Sequence, residues 1–556
     1  MVSASSLIPM DFILQSYNAY NPKIAEAPNQ ILNYLSNYLV TPLNEKQINQ
    51  QTISQQFDSS CNTQSTFEET QTEFAASVGI SGSYGFYSGS MQANYSKQTC
   101  QSSTTFNFGF NASVDCGTCS FFQPSSMSAI RACLQPTLLD ELNSISTIQQ
   151  AQEFTSTYGT HLILGVSLGG SLYVSVYATT SSLATQTSVG VSVEASYKAV
   201  SSMSATASTT YSLSTQYQSE GFSYLLNTIG GSSAAAANMD VTKPETYSAW
   251  AQTCTVDTVC GVSNSLELWQ LATNTTAQNQ LKLYLQLVAV QQSIQYPSYF
   301  SNAIALQPFQ ENKVVVTASS GFKIIGGGAT VNMNSSNFLT GSYPSVDQNL
   351  KITGWTAASH DLSTASNSTT DVLSVYAIGI YDPTNLLSVS CVTAIGSNPG
   401  VGSDSATATL PTNYILAGGG VHGDWQGGGI KFMMQSFPDS SVSNSWTGML
   451  HDYHTPASNV PLTVYAIGVY SEYFTITSQI TNESINNVQH GNAVATAVRA
   501  LAGGGVQVTS LSGAGNLVQQ TYPSTSTTWT EYNKDTDGNV SPSNSVAYVI
   551  QLTCAS

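Results

Sequence analysis

The stretch Val189-Gly190-Val191-Ser192-Val193-Glu194-Ala195-Ser196-Tyr197-Lys198-Ala199 alternates apolar and polar side chains with a period of two. After Val200-Ser201 the alternation resumes: Met203, Ala205, Ala207, Tyr211 and Leu213 stand against Ser202, Ser204, Thr206, Ser208, Thr210 and Ser212. A period of two puts successive side chains on opposite faces of an extended strand, which no helix can do. Each run approaches the roughly 9–11 residues of a membrane-crossing β-strand, and the short break between them reads as a hairpin. A half-buried strand pair in a soluble sheet gives the same alternation.

A second alternating region lies upstream. Val78, Ile80, Tyr84 and Phe86 occupy even positions, and Met91, Ala93 and Tyr95 odd ones. The returning arm places Phe106, Phe108, Phe110, Ala112 and Val114 between Asn107, Gly109, Asn111, Ser113 and Asp115. Both predicted hairpins therefore have one apolar face and one built mostly of Ser, Thr, Asn and Gly. Helical periodicity is expected at Gln30 to Leu39, at Met127 to Thr157 with a break near Pro136, and at Thr276 to Ile294.

Composition narrows the function. The 556 residues carry 13 Lys+Arg and 31 Asp+Glu, a formal net charge of −18, and only 8% are charged. So few cations exclude a broad phosphate-binding surface and with it nucleic-acid binding. The 41% apolar content is enough to bury a sizeable core. No run approaches the roughly 18 apolar residues of a membrane-spanning helix. Met1 to Met10 lacks the basic and apolar regions of a secretory signal, so the chain is expected to be soluble in its producer or released by another route.

Beyond a linker expected over 301–312, the sequence repeats itself. The first unit reads Ile325-Gly326-Gly327-Gly328-Ala329, Ser342-Tyr343-Pro344, Trp355-Thr356, His360-Asp361 and Val375-Tyr376-Ala377-Ile378-Gly379. The second has Ala417-Gly418-Gly419-Gly420-Val421, Ser436-Phe437-Pro438, Trp446-Thr447, His451-Asp452 and Val464-Tyr465-Ala466-Ile467-Gly468. The third has Ala502-Gly503-Gly504-Gly505-Val506, Thr521-Tyr522-Pro523, Trp529-Thr530, Lys534-Asp535 and Ala547-Tyr548-Val549-Ile550. The marks keep their order at intervals of 83 to 94 residues, which divides 313–556 into units at about 313–381, 386–470 and 474–556. One such unit cannot bury its own apolar face, so three are expected to close around a pseudo-threefold axis as an all-β prism.

Upstream of the Val189 hairpin stands Tyr158-Gly159-Thr160-His161, followed by Gly169-Gly170 and later by Gly230-Gly231. With the order hairpin, helix, Tyr-Gly-Thr-His, strand, hairpin, Gly-Gly, residues 1–300 resemble the membrane attack complex/perforin (MACPF) family. Ala151 and Leu162 stand where that signature has aromatics. Joined to a β-prism, the chain is similar to insecticidal MACPF proteins of bacteria and ferns. The resemblance implies an α+β domain with a bent antiparallel sheet and helical clusters. These unfurl as membrane-inserting hairpins over about 71–114 and 182–217, with Gly230 and Gly231 near the hinge. It also implies a monomer in solution that docks on a target-cell receptor, assembles into a homo-oligomeric ring and inserts a β-barrel pore. The alternative is a non-lytic, lectin-like binding or signalling protein on the same fold.

Other residues admit blander readings. His161 is expected to be a buried, hydrogen-bonded histidine rather than a catalyst. Gly165-Val-Ser167-Leu-Gly169 fits a nucleophile pattern, yet the residues after it read as more strand, so no enzyme is expected. Cys116-Gly-Thr-Cys119 is half a zinc pattern without a second half, and neither metal nor cofactor is expected. Receptor contact is expected at Trp425 and Asp424 in a Gly-rich loop, and at the repeated His360-Asp361 and His451-Asp452.

Overall fold

The computed structural model describes residues 8–19, 35–62, 105–122, 126–179, 222–239, 244–295, 297–332, 336–361, 371–396, 402–423, 430–442, 444–452, 460–488, 490–510, 516–535 and 543–555. The chain forms two compact units, the C-terminal one taking over at Val290.

The N-terminal unit is built on one antiparallel sheet. Its strands are β1 (Gln15–Tyr17), β2 (Ser36–Asn37), β3 (Ile48–Asn62), β4 (Thr105–Phe121), β5 (His161–Thr179), β6 (Phe222–Gly230) and β7 (Val259–Glu267). The order is β2-β1-β5-β4-β3, and the other edge of β5 is shared by β7 over its first half and β6 over its second. Between β4 and β5 lie three helices, α1 (Met127–Cys133), α2 (Pro136–Ser144) and α3 (Ile148–Tyr158). Pro136 begins α2, where its missing N–H costs nothing, and Thr147 caps α3 by accepting from the Gln150 amide. Ile130, Leu138, Leu142, Ala151 and Phe154 bury their inner faces. Two short helices, α4 (Ser233–Ala237) and α5 (Pro244–Ala251), separate β6 from β7, and the long α6 (Thr275–Gln295) follows. The helix expected at Gln30 to Leu39 is corrected within the described residues. Ser36 and Asn37 pair with Ser16 and Gln15, and Leu39 bridges Leu134. The Leu spacing there imitates a helical face, but backbone partners from β1 are available and win.

The C-terminal unit contains three sheets, and each is assembled from two repeats. The first repeat supplies β8 (Ser298–Ala305), β9 (Asn312–Val316), β10 (Phe322–Val331), β11 (Asn337–Val346), β12 (Ile352–Asp361) and β13 (Val372–Tyr381). The second supplies β14 (Ser388–Ile395), β15 (Ser403–Thr409), β16 (Ile415–Gly423), β17 (Lys431–Pro438), β18 (Ser445–Asp452) and β19 (Leu462–Tyr470). The third supplies β20 (Thr475–Val488), β21 (His490–Gly491), β22 (Val494–Thr496), β23 (Gly503–Ser510), β24 (Asn516–Pro523), β25 (Thr528–Asp535) and β26 (Ser543–Ala555). One sheet runs β14-β19-β16-β11-β12-β9, the next β15-β18-β17-β23-β26-β20, and the last joins β24 and β25 to β10, β13 and β8. The seams are equivalent: Ala329 faces Thr521, Val421 faces Ser342, and Val506 faces Ser436.

Every repeated mark has a geometric job in this arrangement. The indole N–H groups of Trp355, Trp446 and Trp529 donate to the hydroxyls of Ser342, Ser436 and Thr521, each at 3.0 Å. The middle glycine of each triplet, Gly327, Gly419 or Gly504, leaves room for that Trp ring. The first glycines close the cycle, because a Cβ on Gly326, Gly418 or Gly503 would meet the carbonyl of Ala502, Ile325 or Ala417 in another repeat. Three glycines at one axis thus let three backbones approach within a distance no side chain permits.

The linker expected over 301–312 is corrected. β8 pairs with β13 along its whole length, and the Tyr299 hydroxyl donates to the Leu501 and Ser526 carbonyls at 2.7 and 3.1 Å. The first repeat therefore begins at Ser298, because β13 needs an outer neighbour just as β19 and β26 do.

Candidate functional site

Four adjacent strands of the N-terminal sheet, β3, β4, β5 and β6, cross a common bend. Gly117 in β4 and Gly169 in β5 have φ of +115° and +118°; β6 ends on Gly230 at +78°, and Gly231 just after it is at +64°. A Cβ on Gly117 would strike the Gln51 carbonyl of β3, one on Gly169 the Val114 carbonyl of β4, and one on Gly230 the Gly169 carbonyl of β5. Each strand therefore pushes a carbonyl into its neighbour's glycine. The registers slip along the same line, between Thr52 and Gln56 and between Asp115 and Gly117. Such bulges bend a sheet where glycine admits them.

The turn after α5 lies against this bend. Trp250 is fully buried, and its indole N–H donates to the Gly230 carbonyl at 3.2 Å. The Thr253 hydroxyl accepts from the Ser232 amide at 2.8 Å, and Cys254 fills the space above Gly170 and Gly231. Burial pushes the Cys254 thiol up to about 12, with Cys260 and Cys116 as neighbours. Further on, the Thr258 carbonyl accepts from the Gly169 amide at 2.8 Å and the Thr258 hydroxyl donates to the Gly169 carbonyl at 2.7 Å.

The Tyr158-Gly159-Thr160-His161 signature stitches α3 to three strands. Tyr158 ends α3, and Gly159 caps it at φ +83°, pressed against the Tyr17 carbonyl. The buried Thr160 hydroxyl accepts from the Ala19 amide at 2.9 Å and lies 2.9 Å from His161 Nδ1. His161 stacks on Tyr17 at 5.4 Å between ring centroids. Burial lowers its pKa to about 4 and raises that of Tyr17 to about 12, so His161 is neutral and held in place. Ser167 lies inside β5, which continues as strand on both sides of it, without the strand-turn-helix that a nucleophile elbow needs. Cys116 and Cys119 are free thiols in β4.

These observations and the sequence order meet in one domain match: residues 17–292 match the model of the MAC/Perforin domain. The chain carries a MACPF domain. Among the solved structures that resemble it are the following three. GNIP1Aa from Chromobacterium piscinae gives a TM-score of 0.38 at 16% identity over 74% of this chain and 78% of that one. A putative cell invasion protein with a MAC/Perforin domain from Bacteroides thetaiotaomicron gives 0.32 at 14% over 54% and 64%. Astrotactin-2, a conserved vertebrate-specific and perforin-like membrane protein involved in neuronal development, gives 0.33 at 9% over 72% and 69%. No curated protein matches the sequence.

The MACPF sheet shows where the two alternating regions join the fold. Residues 63–104 lie between β3 and β4, and residues 180–221 between β5 and β6, 42 residues in each case. Both connect antiparallel neighbours, since Asn62 faces Gly109 and Ala178 faces Phe222. Phe106, Phe108 and Phe110 belong to β4, in register with Ala178, Val176 and Val174. The arm expected to unfurl from a helical cluster is there already a sheet strand from Thr105 onward. Val78, Ile80, Tyr84, Phe86, Val189, Val191, Val193, Tyr197, Met203, Ala205, Tyr211 and Leu213 lie outside the described residues. So do Asp424 and Trp425. Among the described residues, no helix is long and apolar enough to cross a membrane.

His360 and Asp361 are 7% and 5% exposed, which gives them an inward job. The Asp361 carboxylate accepts from the Phe309 amide at 3.0 Å, and Asp452 accepts from the Gly402 amide at 2.9 Å. His360 and His451 place Nδ1 at 3.0 and 3.2 Å from those carboxylates. Each Asp therefore fastens the segment beside its repeat's outer strand. Sequence reading missed Gly117, Trp250 and Gln55, whose importance lies in cross-strand contacts that no spacing announces.

Proposed function

We propose that this protein forms pores: the C-terminal domain, which we read as a β-prism, docks on a receptor at a target-cell surface. Protomers then assemble into a ring, and segments from 71–114 and 182–217 extend as amphipathic hairpins into a shared β-barrel. The MACPF family supports a pore-forming or perforin-like role at this coarse level. The observation that carries the fuller reading is the placement of two equal 42-residue segments, each with period-two alternation, between adjacent strand pairs of one sheet. Half of such a segment, extended at about 3.3 Å per residue, reaches far beyond a hydrocarbon core of about 30 Å. A lone hairpin in lipid would leave backbone groups unpaired, which is the physical reason for a ring. With a net charge of −18 the chain is not drawn to anionic lipid, so a specific address is needed. The insect gut is the target that the sequence resemblance suggests.

The test is dye release from insect midgut membrane vesicles by the full chain, beside a Val191→Asp, Val193→Asp double variant. Release by the parent, with the variant binding but not releasing, supports the reading. Saturable binding without release by the parent overturns it and favours the non-lytic binding protein.

A further inference from the structure

The bend is held from outside the sheet by one short turn, and that turn touches all four strands. Trp250 bonds the end of β6, Cys254 covers Gly170 of β5, and two side chains from β4 and β3 complete the grip. The Cys116 thiol of β4 donates to the Cys254 carbonyl at 3.7 Å. The Gln55 carboxamide of β3 donates to the Ala251 and Cys254 carbonyls at 3.0 and 2.9 Å. Gln55 reaches them because β3 carries an unusually wide bulge, where Ile53, Ser54 and Gln55 together oppose the single residue Cys116. The carbonyls it serves belong to the last residue of α5 and to the turn after it, and the Ala251 carbonyl also accepts from the Cys254 amide at 3.1 Å.

We propose that residues 250–254 form an autoinhibitory clasp on the bent sheet, with Gln55 as the positioning residue that keeps it shut. Trp250 is the anchor, fully buried and bonded to the Gly230 carbonyl. Gln55 lies on an exposed stretch of an edge strand, and its carboxamide donates to the two carbonyls of the clasp. Straightening the sheet separates β3 from the α5 turn, so the two carboxamide bonds must break before the Gly117–Gly169–Gly230 line can relax. A clasp of this kind sets the threshold for opening without touching membrane, receptor or neighbouring protomer. The inference rests on the pore-forming reading for its consequence, but not for its test.

Cys254 supplies the readout, because it is 1% exposed and its thiol is held protonated by burial, hence inert while the clasp is closed. Opening exposes it to a maleimide, whose carbon–carbon double bond takes the sulfur and the thiol proton. Labelling of Cys254 in the full-length protein in solution, mapped by mass spectrometry, is compared for the parent, Gln55→Ala, Gln55→Glu and Gln55→Lys. Losing both donated bonds should speed labelling about tenfold in Gln55→Ala, equivalent to about 1.4 kcal/mol. Gln55→Glu, which brings a second acceptor against two carbonyls, should be faster still, whereas Gln55→Lys restores a donor and should stay near the parent. Equal rates in all four proteins overturn the proposal. So does acceleration matched by an equal loss of global stability in urea, which would make Gln55 merely structural. Dye release is then measured on the same proteins. A lower threshold concentration for Gln55→Ala joins clasp to pore, and labelling that changes with no release from any protein refutes the pore reading while leaving the clasp intact.

Discussion

Replacing Gly169 by Ala should cost the N-terminal sheet about 3 kcal/mol, most of it from one contact. The residue sits at φ +118°, where an L side chain adds roughly 1–2 kcal/mol of backbone strain. Its new methyl would overlap the Val114 carbonyl, and relief requires β4 and β5 to part locally. Parting endangers the two bonds between Gly169 and Thr258, each worth about 1 kcal/mol net. Gly402 provides the control, with φ +97° and nothing within 4 Å of its would-be Cβ among the described residues. Gly402→Ala should therefore incur the strain alone. Amide hydrogen exchange reads both variants locally: β4 and β5 amides should exchange about a hundredfold faster in Gly169→Ala, against about tenfold for the strand near Gly402. If the two substitutions cost the same, the interlocking of carbonyls and glycines does not enforce the bend, and the reasoning fails.

Three further outcomes follow from the side chains. His161 is buried and neutral with a pKa lowered to about 4, so the stability it contributes is complete above its unfolded pKa near 6.5 and is lost as pH falls through 4. The N-terminal unit should lose about 3 kcal/mol over that window by urea denaturation, and His161→Gln should flatten the loss. Glu531 has the opposite sign: burial raises its pKa despite bonds from the Ala493 amide, Asn533 and Ser545, so its contribution is complete in acid and is lost as pH rises through its folded value. Glu531→Gln should make the C-terminal domain less dependent on pH in a melting series from pH 4 to 7. Finally, Ser342→Ala, Ser436→Ala and Thr521→Val each strand a buried indole N–H, and should each cost about 1–2 kcal/mol in thermal melts. Unequal costs would show that the three repeats do not share one packing solution.

The repeats were legible because the Trp, glycine and hydroxyl marks perform the same contact three times, and a contact that needs those residues leaves them in the sequence. β8 was not, since it carries none of the marks and its partner β13 begins at Val372, far along the chain. The Tyr158-to-His161 signature was readable as residue types, but its work of joining Tyr17, Ala19 and β7 is visible only in three dimensions. The repeated His-Asp pairs show the converse error of interpretation. Repetition in sequence marks either a shared binding site or a shared fold position, and the burial of Asp361 with its bond to the Phe309 amide gives it a fold position. Gln55 carried no signal at all, because a bulge depends on which residues fail to pair.

The exchange of strands between repeats also sets an order in time. β10 pairs with β24 through Ala329 and Thr521, 192 positions apart, so the last seam waits until nearly the whole chain exists. At roughly 5–20 residues per second on the ribosome that is a delay of about 10–40 s. Meanwhile all partners within the N-terminal sheet have already been made. The half we read as able to attack a membrane is thus ready well before the half we read as giving it an address. During synthesis, then, restraint has to come from within the N-terminal unit itself.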